Sequence, residues 1–325
     1  MPPPSPPLLE LRDFGVSFTG LPAVRGLNLR IDRGEAFGLV GESGSGKSVT
    51  WLGALGLLPP TASVSGHALL DGEDLLTAGP TQLARIRGGR IGLIFQDPGS
   101  ALNPIHRVGA QVMEALRAHR GLTGSAARAE AKQLFDHVGI PDAARRLDLY
   151  PHELSGGQNQ RVMIAMALAG QPDLLIADEP TTALDMTIQA QILDLLDRLR
   201  RDTGMALVLI SHDLSVVAEL CSRIAVMYAG RIVEQAPTDA LFDQPAHPYT
   251  RGLLAAVPPL AGPRQRLVSI PGNVPEPWNM PPGCAFAPRC DLAGEDCAAG
   301  TPPLRDAAPG HYAACLRIAQ DRVTA

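Results

Sequence analysis

The sequence runs Gly41-Glu42-Ser43-Gly44-Ser45-Gly46-Lys47-Ser48 immediately after a short apolar stretch, Ala36 to Val40. This run fits the pattern G-x-x-x-x-G-K-[ST], in which glycines free backbone N–H groups to surround a phosphate. A helix predicted from about Lys47 to Leu57 points the positive end of its dipole at the same anion. Lys47 adds a mobile positive charge, and the Ser48 hydroxyl is a hard oxygen ligand suited to Mg²⁺. Strand, loop and helix in this order favour a P-loop over a merely flexible Gly/Ser-rich segment.

A second apolar stretch, Leu174 to Ala177, ends in the two acids Asp178 and Glu179. It is typical of a buried parallel strand, and α/β sheets place their chemistry at the carboxyl ends of such strands. Asp178 is predicted to orient the Mg²⁺ shell, and Glu179 to polarise the water that attacks the γ-phosphate. Alone, the two acids would also suit a polar exit from a strand into a turn. Beside a P-loop, they indicate the Walker B pattern of an ATPase.

Two further polar residues follow predicted strands. Gln96 comes after the strand candidate Ile91 to Phe95, and His212 comes shortly after the strand candidate Met205 to Ile210. A neutral amide at the first position could reach Mg²⁺ or the attacking water, and an imidazole at the second could donate a hydrogen bond to the γ-phosphate. Elsewhere in a chain, each residue type would be ordinary surface polarity. Their placement at strand ends makes them candidate site residues.

Leu154-Ser155-Gly156-Gly157-Gln158 forms another candidate anion site. Ser155 is a good helix N-cap, the glycines let backbone N–H groups approach an anion, and the apolar-rich run Val162 to Leu168 follows. An ordinary cap and turn is the alternative for so short a motif. As a phosphate site, it is one that the chain's own P-loop does not fill, so it implies a second nucleotide-binding subunit.

Together these motifs resemble the nucleotide-binding subunits of ATP-binding cassette (ABC) transporters, in the branch that serves oligopeptide, dipeptide and nickel importers. The run from Gly41 resembles Walker A, the run from Leu154 the signature, and Thr182-Ala183-Leu184-Asp185 the D-loop. The catalytic residues that the resemblance implies are Glu179, His212 and Gln96 of the Q-loop, and the implied Mg²⁺ ligands are Ser48, Gln96 and Asp178. The implied ATP-binding residues are Phe18, Gly41, Glu42, Ser43, Gly44, Ser45, Gly46, Lys47, Ser48, Val49, Gln96, Asp178, Ser155, Gly156, Gly157, Gln158 and Asp185. Phe18 resembles the aromatic that stacks on adenine, although an aromatic in the alternating stretch Leu9 to Phe18 could also belong to the core.

The resemblance implies that two such subunits, identical or different, face each other head to tail. Each ATP is then held by the P-loop of one and the signature of the other, and closure of the pair drives two separate transmembrane permease subunits. A substrate-binding protein outside the membrane would complete the importer. Peptides are the expected cargo, with nickel chelates or glutathione as alternatives. A soluble ABC ATPase acting on nucleic acid or ribosomes is disfavoured, because the sequence shows neither an internal repeat nor a long coiled coil.

Composition sets independent bounds. The 325 residues are 45% hydrophobic, which is enough for a substantial core. The net charge of −5 and the lack of a long Lys/Arg run argue against a nucleic-acid partner. No apolar stretch approaches the roughly 18 residues of a membrane span, and the N-terminus does not resemble a signal peptide. We therefore expect a peripheral subunit on the cytoplasmic face of the membrane, attached through its partners.

The expected fold is an α/β P-loop NTPase of the ABC type, with a RecA-like core, an antiparallel β subdomain and a helical subdomain, followed by a small irregular C-terminal extension. Residues 1–7, which are rich in proline, are expected to be a disordered lead-in. We assign residues 8–245 to the nucleotide-binding domain, with its helical subdomain at about 97–170. Residues 246–325 form the extension, which begins near His247-Pro248-Tyr249 and resembles that of the peptide-importer branch.

The extension holds four of the five cysteines: Cys284, Cys290, Cys297 and Cys315. A reducing compartment disfavours two disulfides, and the C-x₂₋₄-C pairs usual for zinc are missing. Four thiolates suit a [4Fe–4S] cluster, which some relatives in this branch are thought to carry, and His311 could replace one cysteine as a ligand. Zinc and reduced thiols without a special role remain the alternatives.

Overall fold

A computed structural model describes residues 6–182, 184–257 and 269–318. The chain divides into two compact units, and the boundaries between them are crossed several times. Within the described ranges, the first unit contains the residues up to 31, residues 36–76 and the residues from 210 onward. The second unit contains residues 32–35 and 77–209.

In chain order, the strands are β1 (Leu9–Phe18), β2 (Leu21–Ile31), β3 (Ala36–Val40), β4 (Ala62–Leu70), β5 (Glu73–Asp74), β6 (Ile91–Ile94), β7 (Leu174–Asp178), β8 (Ala206–Ser211), β9 (Arg223–Tyr228), β10 (Arg231–Pro237), β11 (Arg305–Ala308) and β12 (His311–Ala313). The α-helices are α1 (Lys47–Ala54), α2 (Pro80–Ile86), α3 (Pro98–Ala101), α4 (Val108–Arg120), α5 (Gly124–His137), α6 (Ala143–Arg146), α7 (Gly156–Leu168), α8 (Met186–Thr203), α9 (Leu214–Leu220), α10 (Thr238–Asp243) and α11 (Pro248–Ala255). Short 3₁₀ helices occur at Pro151–Glu153, Pro277–Asn279, Ala287–Arg289 and Glu295–Ala298.

The first unit contains an antiparallel sheet and a mixed sheet. The antiparallel sheet has the order β2-β1-β4-β5, as expected for the β subdomain. In the mixed sheet, β3 pairs in parallel with β9, and β9, β10, β12 and β11 continue as antiparallel neighbours. The C-terminal extension therefore contributes regular structure, because β12 pairs with β10 and β11 pairs with β12. It also contributes helix α11.

Strand β3, which leads into the P-loop, is buried along its whole length. Its middle residue, Gly38, packs so closely on α9 that a Cβ atom there would lie 2.0 Å from Val217 Cγ1. The large side chains Phe14, Phe37 and Trp51 fill the surrounding core, each at most 1% exposed. Close packing of this kind resists small displacements, so the start of the P-loop has a rigid base.

The second unit contains the predicted helical subdomain and the Walker B strand. Strands β6 and β7 are parallel neighbours, with Ile94 opposite Ala177. The N–H of Ala206, at the start of β8, donates to the carbonyl oxygen of Asp173, just before β7. Between β6 and β7, the chain forms helices α3 to α7, in agreement with the helical periodicity of the sequence.

Most element boundaries lie within a few residues of the sequence-based expectation. Helix α1 ends at Ala54 rather than near Leu57, and β8 begins at Ala206 rather than Met205. Helix α8 ends where predicted, because Gly204 adopts the left-handed conformation (φ 71°) that terminates helices. In the described part of the chain, no helix combines the length and apolar character needed to cross a membrane.

Candidate active site

The P-loop joins β3 to α1 in the first unit. Gly46 is the residue before α1 and has φ 102°, a conformation that favours glycine. A Cβ atom on Gly41 would lie 2.2 Å from the carbonyl oxygen of Met227, so the loop can follow this path only with glycine there. Ser43 and Gly44 are exposed at the tip of the loop, whereas Ser45 is fully buried at its base. This backbone is a cradle whose exposed part is free of bulky side chains.

The Lys47 ammonium group lies inside the P-loop. Its Nζ donates to the carbonyl oxygens of Gly41 at 2.7 Å and of Glu42 at 3.1 Å, and the residue is only 6% exposed. A phosphate entering the loop would offer stronger, charged acceptors to the same ammonium group. Ser48 and Val49 occupy the first turn of α1, where both are half-buried. The donor set and the open backbone fit a bound triphosphate, and the Ser48 hydroxyl fits a Mg²⁺ ligand.

Two more predicted residues belong to the first unit. Phe18 is the last residue of β1 and is half-buried, so part of its side chain reaches solvent. His212 is exposed and follows β8 directly. Asp213 then caps α9 by accepting a hydrogen bond from the N–H of Ser215 at 2.9 Å. The strand end and the helix start thus place His212 in a short turn.

Gln96 and Glu179 meet in the second unit. Each lies two positions beyond the paired residues Ile94 and Ala177, and the Gln96 amide Nε2 donates to Glu179 Oε2 at 3.0 Å. The Thr182 hydroxyl donates to the same oxygen at 2.9 Å. Sequence reasoning missed this role of Thr182, although the residue lies within the predicted D-loop. The register of the two parallel strands therefore joins a carboxylate and an amide that were predicted separately.

Glu179 has a left-handed backbone (φ 47°), which is unusual for a residue with a side chain. Such conformations cost on the order of 1–3 kcal/mol and persist only where the surroundings enforce them. Asp178, the last residue of β7, and Glu179 are both half-buried. The extended path of β7 thus ends at Asp178, and the chain turns at Glu179.

The signature forms the start of α7 and carries a reciprocal cap. Ser155 Oγ accepts from the N–H of Gln158 at 3.3 Å, and Gln158 Oε1 accepts from the N–H of Ser155 at 3.2 Å. Ser155 and Gly156 are exposed, whereas a Cβ atom on Gly157 would lie 2.9 Å from Ile188 Cγ2. The exposed helix start is open to an anion from outside this unit.

Asp185, in the predicted D-loop, caps α8 by accepting from the N–H of Ile188 at 3.0 Å. Its neighbour Met186 is 88% exposed. The predicted D-loop residue Ala183 lies outside the described residues. Asp185 thus has a local structural role as the cap of α8.

Three of the four cysteines of the extension have thiols with raised pKa values. Burial raises the pKa values of the Cys284, Cys290 and Cys315 thiols, and neighbouring thiols raise them further. The five cysteines are free thiols, and His311 hydrogen-bonds Glu234 rather than a sulfur. Across the described ranges, no group of three or more His, Cys, Asp or Glu side chains is arranged to hold a metal ion. The expected [4Fe–4S] ligand arrangement is therefore not formed here.

Comparison with known proteins gives two family matches. The family described as "ABC transporter" matches residues 24–182, and the "Oligopeptide/dipeptide transporter, C-terminal region" matches residues 233–297. A Brucella abortus protein named "Putative peptide import ATP-binding protein BAB2_1052" is 53% identical over 296 residues, which cover 90% of this chain and 89% of that protein. The oligopeptide transport ATP-binding protein OppD of Salmonella typhimurium is 46% identical over 324 residues, which cover 98% and 96% of the two chains.

Solved structures are similar over the cassette. A dimeric structure of the ATP-binding cassette MJ0796 in a post-hydrolysis state, bound to ADP and Pi, matches with a TM-score of 0.63 and 30% identity. The match covers 71% of this chain and 98% of the MJ0796 chain. The Clostridium perfringens protein cbiO1, part of the ABC transporter complex cbiONQ, matches with a TM-score of 0.64 and 29% identity, covering 74% and 92%.

Proposed function

We propose that this chain, which belongs to the ABC transporter family, is the ATP-hydrolysing subunit that energises an importer of oligopeptides or dipeptides. The ABC family uses ATP and Mg²⁺, and the P-loop described above has the backbone path and the lysine to bind the triphosphate. The cargo assignment is supported by the names of its relatives and by the matched C-terminal region. Nickel chelates or glutathione are the alternative cargoes.

The observation that carries the proposal is the pairing of Gln96 with Glu179 at adjacent parallel strand ends. In the proposed mechanism, backbone N–H groups of residues 43–48 and the Lys47 ammonium bind the phosphates. Ser48, Gln96 and Asp178 would hold Mg²⁺, which would neutralise part of the phosphate charge. Glu179 accepts a proton from the water that attacks the γ-phosphate, and His212 donates a hydrogen bond to that phosphate. The Gln96 amide can contact either Glu179 or the bound nucleotide. A change from ATP to ADP is therefore proposed to alter the contact between Gln96 and Glu179.

The same reading extends to ATP-binding residues outside the P-loop. Phe18, partly exposed at the end of β1, is proposed to stack on adenine. Ser155, Gly156, Gly157 and Gln158 are proposed to bind the γ-phosphate of an ATP held by a second ABC ATPase subunit, with Asp185 at the same interface. An exposed, capped helix start supports this assignment.

The proposed partners are that second ATPase subunit, two permease subunits and an extracytoplasmic binding protein. The chain would then be peripheral, on the cytoplasmic face of the membrane. We further propose the division into a nucleotide-binding domain at residues 8–245 and an extension from residue 246. The ABC transporter match, residues 24–182, lies within the first of these domains, and the C-terminal region match, residues 233–297, overlaps the extension.

Glu179→Gln tests the catalytic assignment. We expect the variant to bind ATP with nearly unchanged affinity and to lose hydrolysis by about 10²–10⁴-fold, the usual contribution of a general base. Steady-state hydrolysis and equilibrium binding of a fluorescent ATP analogue measure the two properties. Glu114→Gln, at an exposed position on α4, is a control for the same chemical change. Near-normal turnover by Glu179→Gln would contradict the role of Glu179 as base.

Uptake of labelled peptides tests the cargo. Cells that lack the chain should lose uptake of di- or oligopeptides, and the wild-type gene should restore it while the Glu179→Gln gene should not. Uptake of nickel and of glutathione is measured in the same strains. If uptake of nickel or of glutathione is lost while peptide uptake stays intact, that compound is the cargo instead of peptides.

A [4Fe–4S] cluster on Cys284, Cys290, Cys297 and Cys315 is the finer part of the cofactor proposal. It is supported by the number of cysteines in this segment and by the hydrogen bond from the Cys284 N–H to the carbonyl oxygen of Cys297 at 2.8 Å, and it requires that the four side chains converge. Anaerobic purification with metal analysis decides it. Stoichiometric iron with a visible absorbance that bleaches on reduction is expected, whereas stoichiometric zinc or metal-free protein would contradict the cluster.

A further inference from the structure

The C-terminal extension contacts the P-loop at the backbone of Glu42. The phenol oxygen of Tyr249, in the first turn of α11, accepts a hydrogen bond from the Glu42 N–H at 2.9 Å. Tyr249 is fully buried, and its ring lies 4.7 Å from that of Tyr228 on β9, measured between centroids. Because this N–H is already bound by the extension, its direction in the loop is fixed.

A second contact binds the Glu42 side chain. Arg289 Nη1 donates to Glu42 Oε2 at 2.6 Å, and Arg289 Nη2 donates to Oε1 at 2.9 Å, which forms a two-point ion pair. The Arg289 side chain is 5% exposed and that of Glu42 is 30% exposed. These hydrogen bonds raise the pKa of the guanidinium group. Paired, planar donors of this kind fix the position of a carboxylate as well as neutralising it.

The segment that carries Arg289 is itself anchored. Arg289 Nε donates to the carbonyl oxygen of Pro271 at 2.8 Å, and Arg289 ends the 3₁₀ helix Ala287–Arg289. Phe286, just before this helix, packs edge-on against Tyr228 with a centroid distance of 5.3 Å and also contacts Tyr249. The two residues that bind Glu42 therefore belong to one packed aromatic cluster, rather than to two independent surface side chains.

We propose that Arg289 and Tyr249 are positioning residues for ATP binding: the extension holds Glu42, fixes the P-loop backbone and neutralises a carboxylate next to the phosphate site. This inference rests on the proposed ATPase function. A carboxylate within a phosphate-binding loop repels the ligand unless a cation compensates it, and Arg289 supplies that cation. The extension is thereby part of the nucleotide site.

The test compares Arg289→Met with the double variant Glu42→Gln/Arg289→Met in the full chain. The single variant leaves the Glu42 carboxylate uncompensated, so we expect KM for ATP to rise about tenfold with little change in kcat. The double variant removes the carboxylate as well, so its KM should lie at least about threefold below that of Arg289→Met. A purely structural role predicts no such recovery.

Arg317→Met is the matched control. Arg317 forms a similar two-point pair with Asp296 inside the extension, at 2.8 and 2.5 Å, and its described hydrogen bonds do not involve the P-loop. We expect its KM for ATP to stay within about twofold of wild type. Tyr249→Phe, which removes only the acceptor for the Glu42 N–H, should raise KM about threefold. Melting temperatures of all variants are measured in parallel.

Three results would overturn the inference: an unchanged KM in Arg289→Met, a double variant as impaired as the single one, or an equal rise in Arg317→Met. These results count against the inference only if the wild-type chain binds Mg-ATP and the Lys47→Ala variant does not. A wild-type chain that does not bind Mg-ATP would instead overturn the proposed function, and the inference with it.

Discussion

His247 shows how one buried residue organises the start of the extension. It is 1% exposed, and its Nδ1 accepts a hydrogen bond from the N–H of Tyr249 at 3.1 Å, which caps α11. Only an unprotonated Nδ1 can accept this bond. Burial lowers the pKa of His247 to about 4, although the nearby Glu234 opposes this shift. The imidazole is therefore neutral at physiological pH and acts as a helix cap.

This shift predicts a stability that depends on pH. Between pH 6.5 and about 4, the unfolded chain protonates His247 while the folded chain does not, so stability falls as pH decreases through this window. The His247 contribution to the loss reaches ~3 kcal/mol at the lower end. His247→Asn keeps a capping acceptor without an ionisable group, so its stability should fall less between pH 7.5 and pH 4.5. Urea unfolding at both pH values measures the free energy of unfolding. An equal loss of this free energy in wild type and His247→Asn would contradict the role of His247.

At the scale of elements, a buried hydrogen bond between a carboxylate and a histidine joins the last strands to the sheet. Glu234 on β10 is fully buried, and His311 Nε2 lies 2.6 Å from its Oε1. The N–H groups of Ala246 and His247 donate to the two carboxylate oxygens at 2.6 and 2.8 Å. Burial alone would raise the pKa of Glu234, but these hydrogen bonds hold it below its ordinary value. One carboxylate thus connects β10, β12 and the start of α11.

Glu234→Gln should release β12 from the sheet. A glutamine places an NH₂ group where N–H donors already point, so at least one buried donor loses its acceptor, at a cost of about 2–4 kcal/mol. We expect faster amide hydrogen exchange at Ala314, the residue after β12, whose N–H donates to the carbonyl oxygen of Val233 on β10, and a lower melting temperature. Asp306→Asn, at an exposed position on β11, serves as the control. Unchanged hydrogen exchange at Ala314 in Glu234→Gln would show that β12 is held by other contacts.

Elements with strong local signals could be predicted from the sequence. The P-loop, the strand before Asp178 and the end of α8 at Gly204 each depend on residues close together in the chain. The contacts of Glu42 with Tyr249 and Arg289 could not be predicted, because they join positions 207 and 247 residues apart. They also depend on an irregular backbone that has no periodic pattern. The His-Pro-Tyr stretch was recognised in the sequence, but its contact with the P-loop appears only in the structure.

At the scale of the whole molecule, the chain carries two parts of a nucleotide site that need not serve the same nucleotide. The P-loop is complete in its own unit, with Lys47 already inside the loop. The signature is an exposed helix start in the other unit, capped by Ser155. If two subunits pair head to tail, as proposed, each exposed helix start serves the ATP of its partner. A defect in the signature should then act on the partner's site and not on the chain's own P-loop.

Ser155→Arg should therefore leave ATP binding to the isolated chain nearly unchanged, because Lys47 and its loop are untouched. Hydrolysis should fall at least about tenfold, because the bulky cation blocks productive closure of the two subunits. Lys47→Ala should lose ATP binding itself. Mixing the two inactive variants identifies the partner. In a homodimer, random pairing makes about half of the dimers mixed. Each mixed dimer has one intact site, formed by the P-loop of the Ser155→Arg subunit and the signature of the Lys47→Ala subunit, so about a quarter of the wild-type rate returns. A chain that pairs only with a different ATPase subunit shows no recovery, whereas full hydrolysis by Ser155→Arg alone would contradict a signature that acts across the interface.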